Sequence, residues 1–76
     1  MYRDRIKRII NDVLYQKVDE IEEINLFESG LFDSLTTLKL FRAIEKEFSI
    51  TIDLADIEIT DFETVEKINQ YLVDRQ

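Results

Sequence analysis

Few side chains in this 76-residue chain are equipped for covalent chemistry, because it contains neither cysteine nor histidine. One that is equipped stands at a marked position. Ser34 follows Asp33 within SGLFDSLTTLKLF, at the head of an apolar run with helical spacing, four residues after the chain's single glycine, Gly30. A serine nucleophile needs a base, and the usual one, histidine, is missing. A Ser–Lys pair would have to recruit Lys39 or Lys46, which fall on the outer surface of the same helix. A second chemistry suits the position better. Unpaired N–H groups and the helix dipole at a first turn favour a negative group bound or attached there. A phosphodiester on Ser34 would sit in that field with its pendant group in water. The plainer use is capping, since serine and aspartate are both preferred N-caps, and either Asp33 or Ser34 could serve.

Other chemistries find less support. The carboxylates of DLADIEITD (53–61) lack the ligand spacing and the glycine of an EF-hand loop, so no metal site is expected and the stretch reads as a solvated acidic connector. The net charge of −7 is unevenly distributed. Arg3, Arg5, Lys7 and Arg8 face only Asp4 at the N-terminal end, while residues 9–76 hold six basic and sixteen acidic side chains. An acidic body repels nucleic acid backbones and suits protein partners instead. The N-terminal residues lack the roughly 7–15-residue apolar stretch of a signal peptide, and no later run is long enough to cross a membrane. A cytoplasmic, monomeric protein without nucleic acid or membrane partners is expected.

The elements that must carry Ser34 follow from periodicity. One glycine and no proline disfavour a turn-rich β architecture, and 45% hydrophobic residues are enough for a globular core. At this length folding buries only about 60–65% of the surface exposed by the unfolded chain, so one small domain over residues 1–76 is expected. Ile6, Ile9, Ile10, Val13 and Leu14 lie at helical spacing and predict a first helix over about residues 3–16. Residues 17–33 carry no helical period. Ile21, Ile24, Leu26, Phe27, Leu31 and Phe32 should pin them as a long ordered loop, with a short helical turn near 19–24.

The second helix runs from Asp33 or Ser34 to about Phe48. At about 100° per residue, Thr37, Leu40, Phe41, Ile44 and Phe48 form its core face. Leu35, Lys39, Arg42 and Lys46 fall on the outer side and Leu38 on the flank, with Glu45 and Glu47 at the edges of an apolar strip bordered by cations. SITID (49–53) reads as an extended connector, residues 54–60 as a short helical turn, and residues 63–73 as a last helix with Val65, Ile68, Tyr71 and Leu72 inward. The fold class is all-α: a bundle of three main helices plus one short helix, with a long ordered loop between the first two.

The ordered string NLFESGLFDSLTTLKLFRAIEKEFSITI (25–52), followed by IDLADIEI (52–59) and TVEKINQYL (64–72), resembles the phosphopantetheine-dependent acyl and peptidyl carrier proteins over nearly the whole chain. The resemblance implies that Ser34 receives 4′-phosphopantetheine from a phosphopantetheinyl transferase. It implies too that the arm's thiol carries acyl or aminoacyl groups as thioesters, loaded by a ligase and passed to downstream transferases or synthases. The chain itself would not be an enzyme. By the same resemblance Asp33 caps the helix and meets the transferase, and Leu35 and Leu38 contact partners. Housekeeping fatty-acid carriers generally have acidic residues where this chain has Thr36 and Lys39, and Arg42 adds a further cation to the docking face. NLFESGLFDSL is more similar to D-alanyl and other stand-alone aminoacyl carriers, which implies a specialised carrier with Lys39 and Arg42 on its partner surface. The alternative is a carrier-like helical module that is never modified and serves only in protein interaction.

Overall fold

The computed structural model describes residues 2–75. Helix α1 spans Arg3–Leu14 and buries Ile6, Ile9 and Ile10, with Val13 and Leu14 half-buried against the same core. It ends two residues earlier than the periodicity predicts because Tyr15 turns into the left-handed region, φ 56°. There the Tyr15 and Gln16 N–H groups donate to Asp12 O and Asn11 O, closing the last turn. Asn11 extends the stop, its Oδ1 accepting from Val18 N–H at 3.1 Å.

The long loop is ordered by the residues that the sequence nominates. Ile21, Leu26 and Phe32 are buried, while Ile24, Phe27 and Leu31 are half-buried. Its predicted short turn is a 3-10 turn at Ile21–Glu23. One backbone bond ties the loop to the rest of the molecule, Leu26 N–H to Glu63 O at 2.7 Å, and another closes it on itself, Phe32 N–H to Leu26 O at 3.3 Å. Helix α2 spans Ser34–Phe48 and buries Thr37, Leu40, Phe41 and Ile44. Phe48 is half-buried at the end of that face, its ring meeting Tyr2 edge-on at 5.2 Å.

No strand forms among the described residues; Ser49 closes α2 in the left-handed region, φ 54°, and residues 50–53 form a connector without helix or strand. The short helical turn lies at Ile59–Phe62 instead of over 54–60. The displacement has one local cause and one tertiary cause. Asp53 draws the chain into a turn of its own, its Oδ1 accepting from Ala55 N–H and its carbonyl from the N–H groups of Asp56 and Ile57. That turn buries nothing large, whereas the turn four residues later drops Phe62 fully into the core. Helix α3 spans Val65–Asp74, two residues later than predicted, because Thr64 is extended and its hydroxyl caps Lys67 N–H at 3.1 Å.

Helix α1 packs on both α2 and α3, and the 3-10 turn at Ile59–Phe62 packs on α3. At the centre Phe62 contacts Phe41 edge-on, with centroids 4.9 Å apart, and Tyr71 at 4.8 Å. Val65, Ile68 and Leu72 are buried beneath α1, and the buried Asn69 accepts Tyr2 N–H at 2.8 Å. The basic cluster of α1 is occupied by these packing contacts. Arg3 pairs with Glu66, Arg5 and Arg8 with Glu47, and Lys7 with Asp4 and Glu22, while the Arg5 guanidinium lies over the Phe48 ring at 4.4 Å. Such exposed pairs are individually worth up to about 1 kcal/mol, but together they fasten α1 to its neighbours. Among the described residues no helix is long and apolar enough to cross a membrane.

Phe62 is thus the side chain on which the connector is hung. Phe62→Ala should cost about 3–5 kcal/mol, read as a fall in the midpoint of urea unfolding. A cost below about 1 kcal/mol would show that the connector packs independently of the core.

Candidate functional site

The site begins with the question of which residue caps α2. Asp33 does so. Its backbone is extended, φ −97° and ψ −172°, its Oδ1 accepts Thr36 N–H at 2.8 Å, and its carbonyl accepts Thr37 N–H at 2.9 Å. Ser34 is the first residue inside the helix and is exposed. The Thr36 N–H, and after it the Thr36 side chain, hold the Asp33 carboxyl below its ordinary range. Asp33 is therefore fully ionised at neutral pH beside the Ser34 hydroxyl.

The loop delivers the chain to this point by a compact turn. Asn25 Oδ1 accepts from both Phe27 N–H and Glu28 N–H, at 3.0 and 2.9 Å. Gly30 then takes φ 83°, and a Cβ there would meet nothing within 4 Å. Backbone conformation, not space, requires glycine at this position. Ser29, the other serine of the segment, donates its hydroxyl to Leu26 O at 3.2 Å and accepts Leu31 N–H at 3.4 Å. Its oxygen is already engaged in the turn.

Beside Ser34 lies an open groove of about 590 Å³. Phe27, Phe32, Leu38 and Phe41 form one side and floor, and Leu54 and Ile59 form the opposite wall. Phe62 backs Phe41, so the groove is bounded below by the aromatic centre of the core. Asn25, Thr37 and Glu63 supply polar groups along it. Glu63 is bonded by the Lys67 ammonium at 2.7 Å, and that bond with a further one from Asn25 keeps its carboxyl ionised below the usual range.

The outer residues lie where helical angle puts them. Leu35 is 63% exposed and Leu38 40% exposed, with Leu38 leaning over the groove. Lys39, Arg42 and Lys46 are exposed on the same helix. Arg42 donates to Glu45 Oε1 at 3.1 Å, while Glu45 Oε2 accepts Ile52 N–H at 2.7 Å. Glu45 is held ionised below the ordinary glutamate range, first by Ile52 N–H and then by Arg42. Sequence reading had assigned 53–61 to an acidic connector and missed Leu54 and Ile59 as groove wall. Their signal was two large apolar residues in an acidic stretch with no helical period to bury them. Among the described residues no group of side chains is suited to a metal ion.

An exposed serine at the head of a capped helix beside an apolar groove is an arrangement suited to a carrier-type domain. The comparisons with known proteins agree. The fold superposes on a holo acyl carrier protein from Nitrosomonas europaea with a TM-score of 0.82, covering 99% of this chain and 95% of that one at 19% identity. Residues 4–72 match the family described as the phosphopantetheine attachment site, and the chain belongs to that family. It is 30% identical over 66 residues to the D-alanyl carrier protein of Streptococcus suis strain 05ZYH33, and 27% identical over 66 residues to that of Streptococcus mutans serotype c. Both alignments span 87% of this chain and 84% of the relative. The all-α fold and the carrier function inferred from sequence thus hold: the protein carries thioester-bound groups on a covalently attached 4′-phosphopantetheine. Family membership also implies a phosphopantetheinyl transferase and loading or synthase enzymes as partners.

Three carboxylates of this frame, Asp33, Glu45 and Glu63, are ionised more readily than in the unfolded chain. A depressed folded pKa stabilises the fold above the unfolded value and loses that contribution as pH falls through the folded one. The urea midpoint should therefore hold above the ordinary carboxylate values of 3.8 and 4.5 and decline as the solution is acidified below them. The Asp33→Asn/Glu45→Gln/Glu63→Gln variant should show a shallower decline. Equal slopes for the two proteins would remove these groups from the acid response.

Proposed function

We propose that Ser34 is the residue that takes the arm, and that the chain is a specialised carrier of aminoacyl cargo. The observation supporting the first part is a division of labour among three neighbours. Asp33 caps the helix and Ser29 is held by Leu26 O, so Ser34 alone offers an exposed hydroxyl at a helix N-terminus. The site suits the group. A phosphodiester there would lie in the favourable field of the first turn, and the apolar groove starts beside it. On attachment the Ser34 oxygen loses its proton and bonds to the pantetheine phosphorus of coenzyme A, whose pyrophosphate linkage breaks to release adenosine bisphosphate. The arm supplies the thiol that a chain without cysteine lacks.

Asp33 contacts the transferase as well as capping the helix, and Leu35, Leu38, Lys39 and Arg42 contact the loading ligase and the downstream enzyme. The chain is not itself an enzyme; activation and transfer of the cargo belong to its partners. Residues 1–76 act as one carrier domain, monomeric and cytoplasmic. The aminoacyl assignment is supported by the two D-alanyl carrier relatives, and by exposed cations on α2, which match poorly with a basic enzyme surface.

Incubation with coenzyme A and a promiscuous phosphopantetheinyl transferase should add the mass of one arm to the wild-type chain and nothing to Ser34→Ala. Modification surviving in the variant would move the site, with Ser29 next in line. An unmodified wild type would favour the interaction-module alternative. Leu38→Ala in the holo-protein should lower turnover by partner enzymes while changing stability by less than about 1 kcal/mol, compared by steady-state loading rates and urea unfolding. A larger loss of stability would assign Leu38 to the core.

A further inference from the structure

Tyr71 carries a hydroxyl without a partner. Although the residue is only half-buried, its Oη is shut away from solvent and bonds to none of the described residues. A buried hydroxyl left unpaired forfeits the hydrogen bonds that it makes to water in the unfolded chain. Its ring lies 4.8 Å from that of Phe62, with the Arg75 guanidinium over it at 4.5 Å. Burial holds the phenol above its usual pKa; Arg75 opposes that shift, and Asp61 and Glu45 add to it, so these three are its charged neighbours. Arg75 can only donate. Both oxygens of Glu45 are committed, one to Arg42 and the other to Ile52 N–H. Asp74, one turn along α3, accepts from Gln70 at 2.9 Å. Asp61 differs from them. It is exposed, and its carboxylate enters no hydrogen bond or ion pair with a described residue. Asp61 and Tyr71 line the same open cavity of about 610 Å³. A donor without an acceptor and an acceptor without a donor thus border one space.

We propose that the Tyr71 hydroxyl and the Asp61 carboxylate are the two halves of a latch, whose bond holds the Ile59–Phe62 turn in a second, less populated seat. The turn is lightly held. Asp61 N–H reaches Glu58 O at 2.9 Å, but Glu63 N–H reaches Thr60 O only at 3.4 Å, and segments with few firm bonds of their own move first. The fully buried Phe62 ring is the pivot. Rolling about it carries Asp61 into the cavity and onto the hydroxyl. The bond gained has an ionised acceptor, which makes it stronger than one between neutral groups. The motion reaches the groove beside Ser34 as well. In a 3-10 turn, side chains three residues apart stand one above the other, so Ile59 shares a face with Phe62 and Asp61 lies a third of a turn away. Ile59 forms part of the groove wall and therefore moves with the latch. The aromatic cluster links the two spaces: Phe41 lines the groove, Tyr71 lines the cavity, and Phe62 touches both rings. Closing the latch thus changes the width of the groove. This device does not depend on which residue takes the arm.

The test is methyl and amide relaxation dispersion on the full chain without an arm, which reports minor states exchanging in microseconds to milliseconds. Wild type should show exchange at the Ile59 methyl groups and at the amides of residues 59–63. Tyr71→Phe removes the donor and Asp61→Ala the acceptor, so each should lower the minor population roughly tenfold. The double variant should fall no further than either single one, because all three lack the same bond. Urea unfolding separates the two halves. Tyr71→Phe should raise the midpoint, since the folded chain no longer buries an unpaired hydroxyl, whereas Asp61→Ala, at an exposed position, should leave it nearly unchanged. A lowered midpoint in Tyr71→Phe would show that the hydroxyl is satisfied in the folded chain, and would overturn the proposal. So would a wild type without exchange at Ile59, or exchange that persists undiminished in either single variant. A double variant that falls roughly a further tenfold would show that the two groups act separately, and would overturn the pairing. The arm plays no part in these measurements, so a failed latch leaves the Ser34 assignment standing.

Discussion

A single hydrogen bond, from Thr36 N–H to the Asp33 carboxylate, carries the logic of this molecule. A helix start leaves N–H groups to satisfy, and serine is itself a preferred cap. Without the aspartate the hydroxyl of Ser34 would be drawn into that duty. With the aspartate one residue earlier, Ser34 enters the helix, and its oxygen projects into water while the dipole behind it still favours an anion. The order Asp-Ser, and not merely the presence of both residues, is what makes the serine available. The cap is ionised well below neutral pH, so it keeps this role under any ordinary solution condition.

The rest of the fold holds that helix start in register. Leu26 N–H reaches across to Glu63 O, and Asn25 caps the turn that leads to Gly30, so the loop before Ser34 and the connector on the far side of the groove are tied at one point. Glu45 repeats the device about three turns further along α2 by accepting Ile52 N–H. These ties matter because neither segment is regular structure. A connector with few backbone bonds of its own would be the first part of so small a domain to open. Phe62 and Ile52 anchor it from below and the two cross-links from the side.

Much of this was legible in the sequence, and the parts that were not share a cause. Helical period located α1, α2 and α3 because each buries one continuous stripe, and Asp33–Ser34 with Gly30 marked the capped helix start because turn and cap chemistry is local. The ends of α1 and α3 were misjudged by about two residues. There Tyr15 adopts φ 56° without being glycine, and Thr64 was a better cap than the glutamate before it. The connector was harder. Asp53 and Phe62 compete to place the short helical turn, and tertiary burial of Phe62 decides it, which no local pattern reports. For the same reason Leu54 and Ile59 could not be recognised as groove wall until α2 lay opposite them. The basic residues of α1 illustrate the converse. As a string they suggest a patch, but their partners Glu22, Glu47 and Glu66 lie far along the chain and convert them into fasteners.

The separation of core from site also explains how so short a chain can tolerate a large modification. A domain of this size holds only a modest margin of stability, so a covalent group attached within packed structure would consume much of it. Here Ser34, the proposed attachment point, stands outside the cluster of Phe41, Phe62 and Tyr71, and the large apolar side chains Leu35, Leu38, Leu54 and Ile59 are already in water. Substitution at such positions is usually near neutral for stability, so the surface around Ser34 can vary while the bundle stays the same. Lys39, Arg42 and Lys46 are compatible with the fold because Glu45 and Glu47, the acids of that helix, are held within the chain.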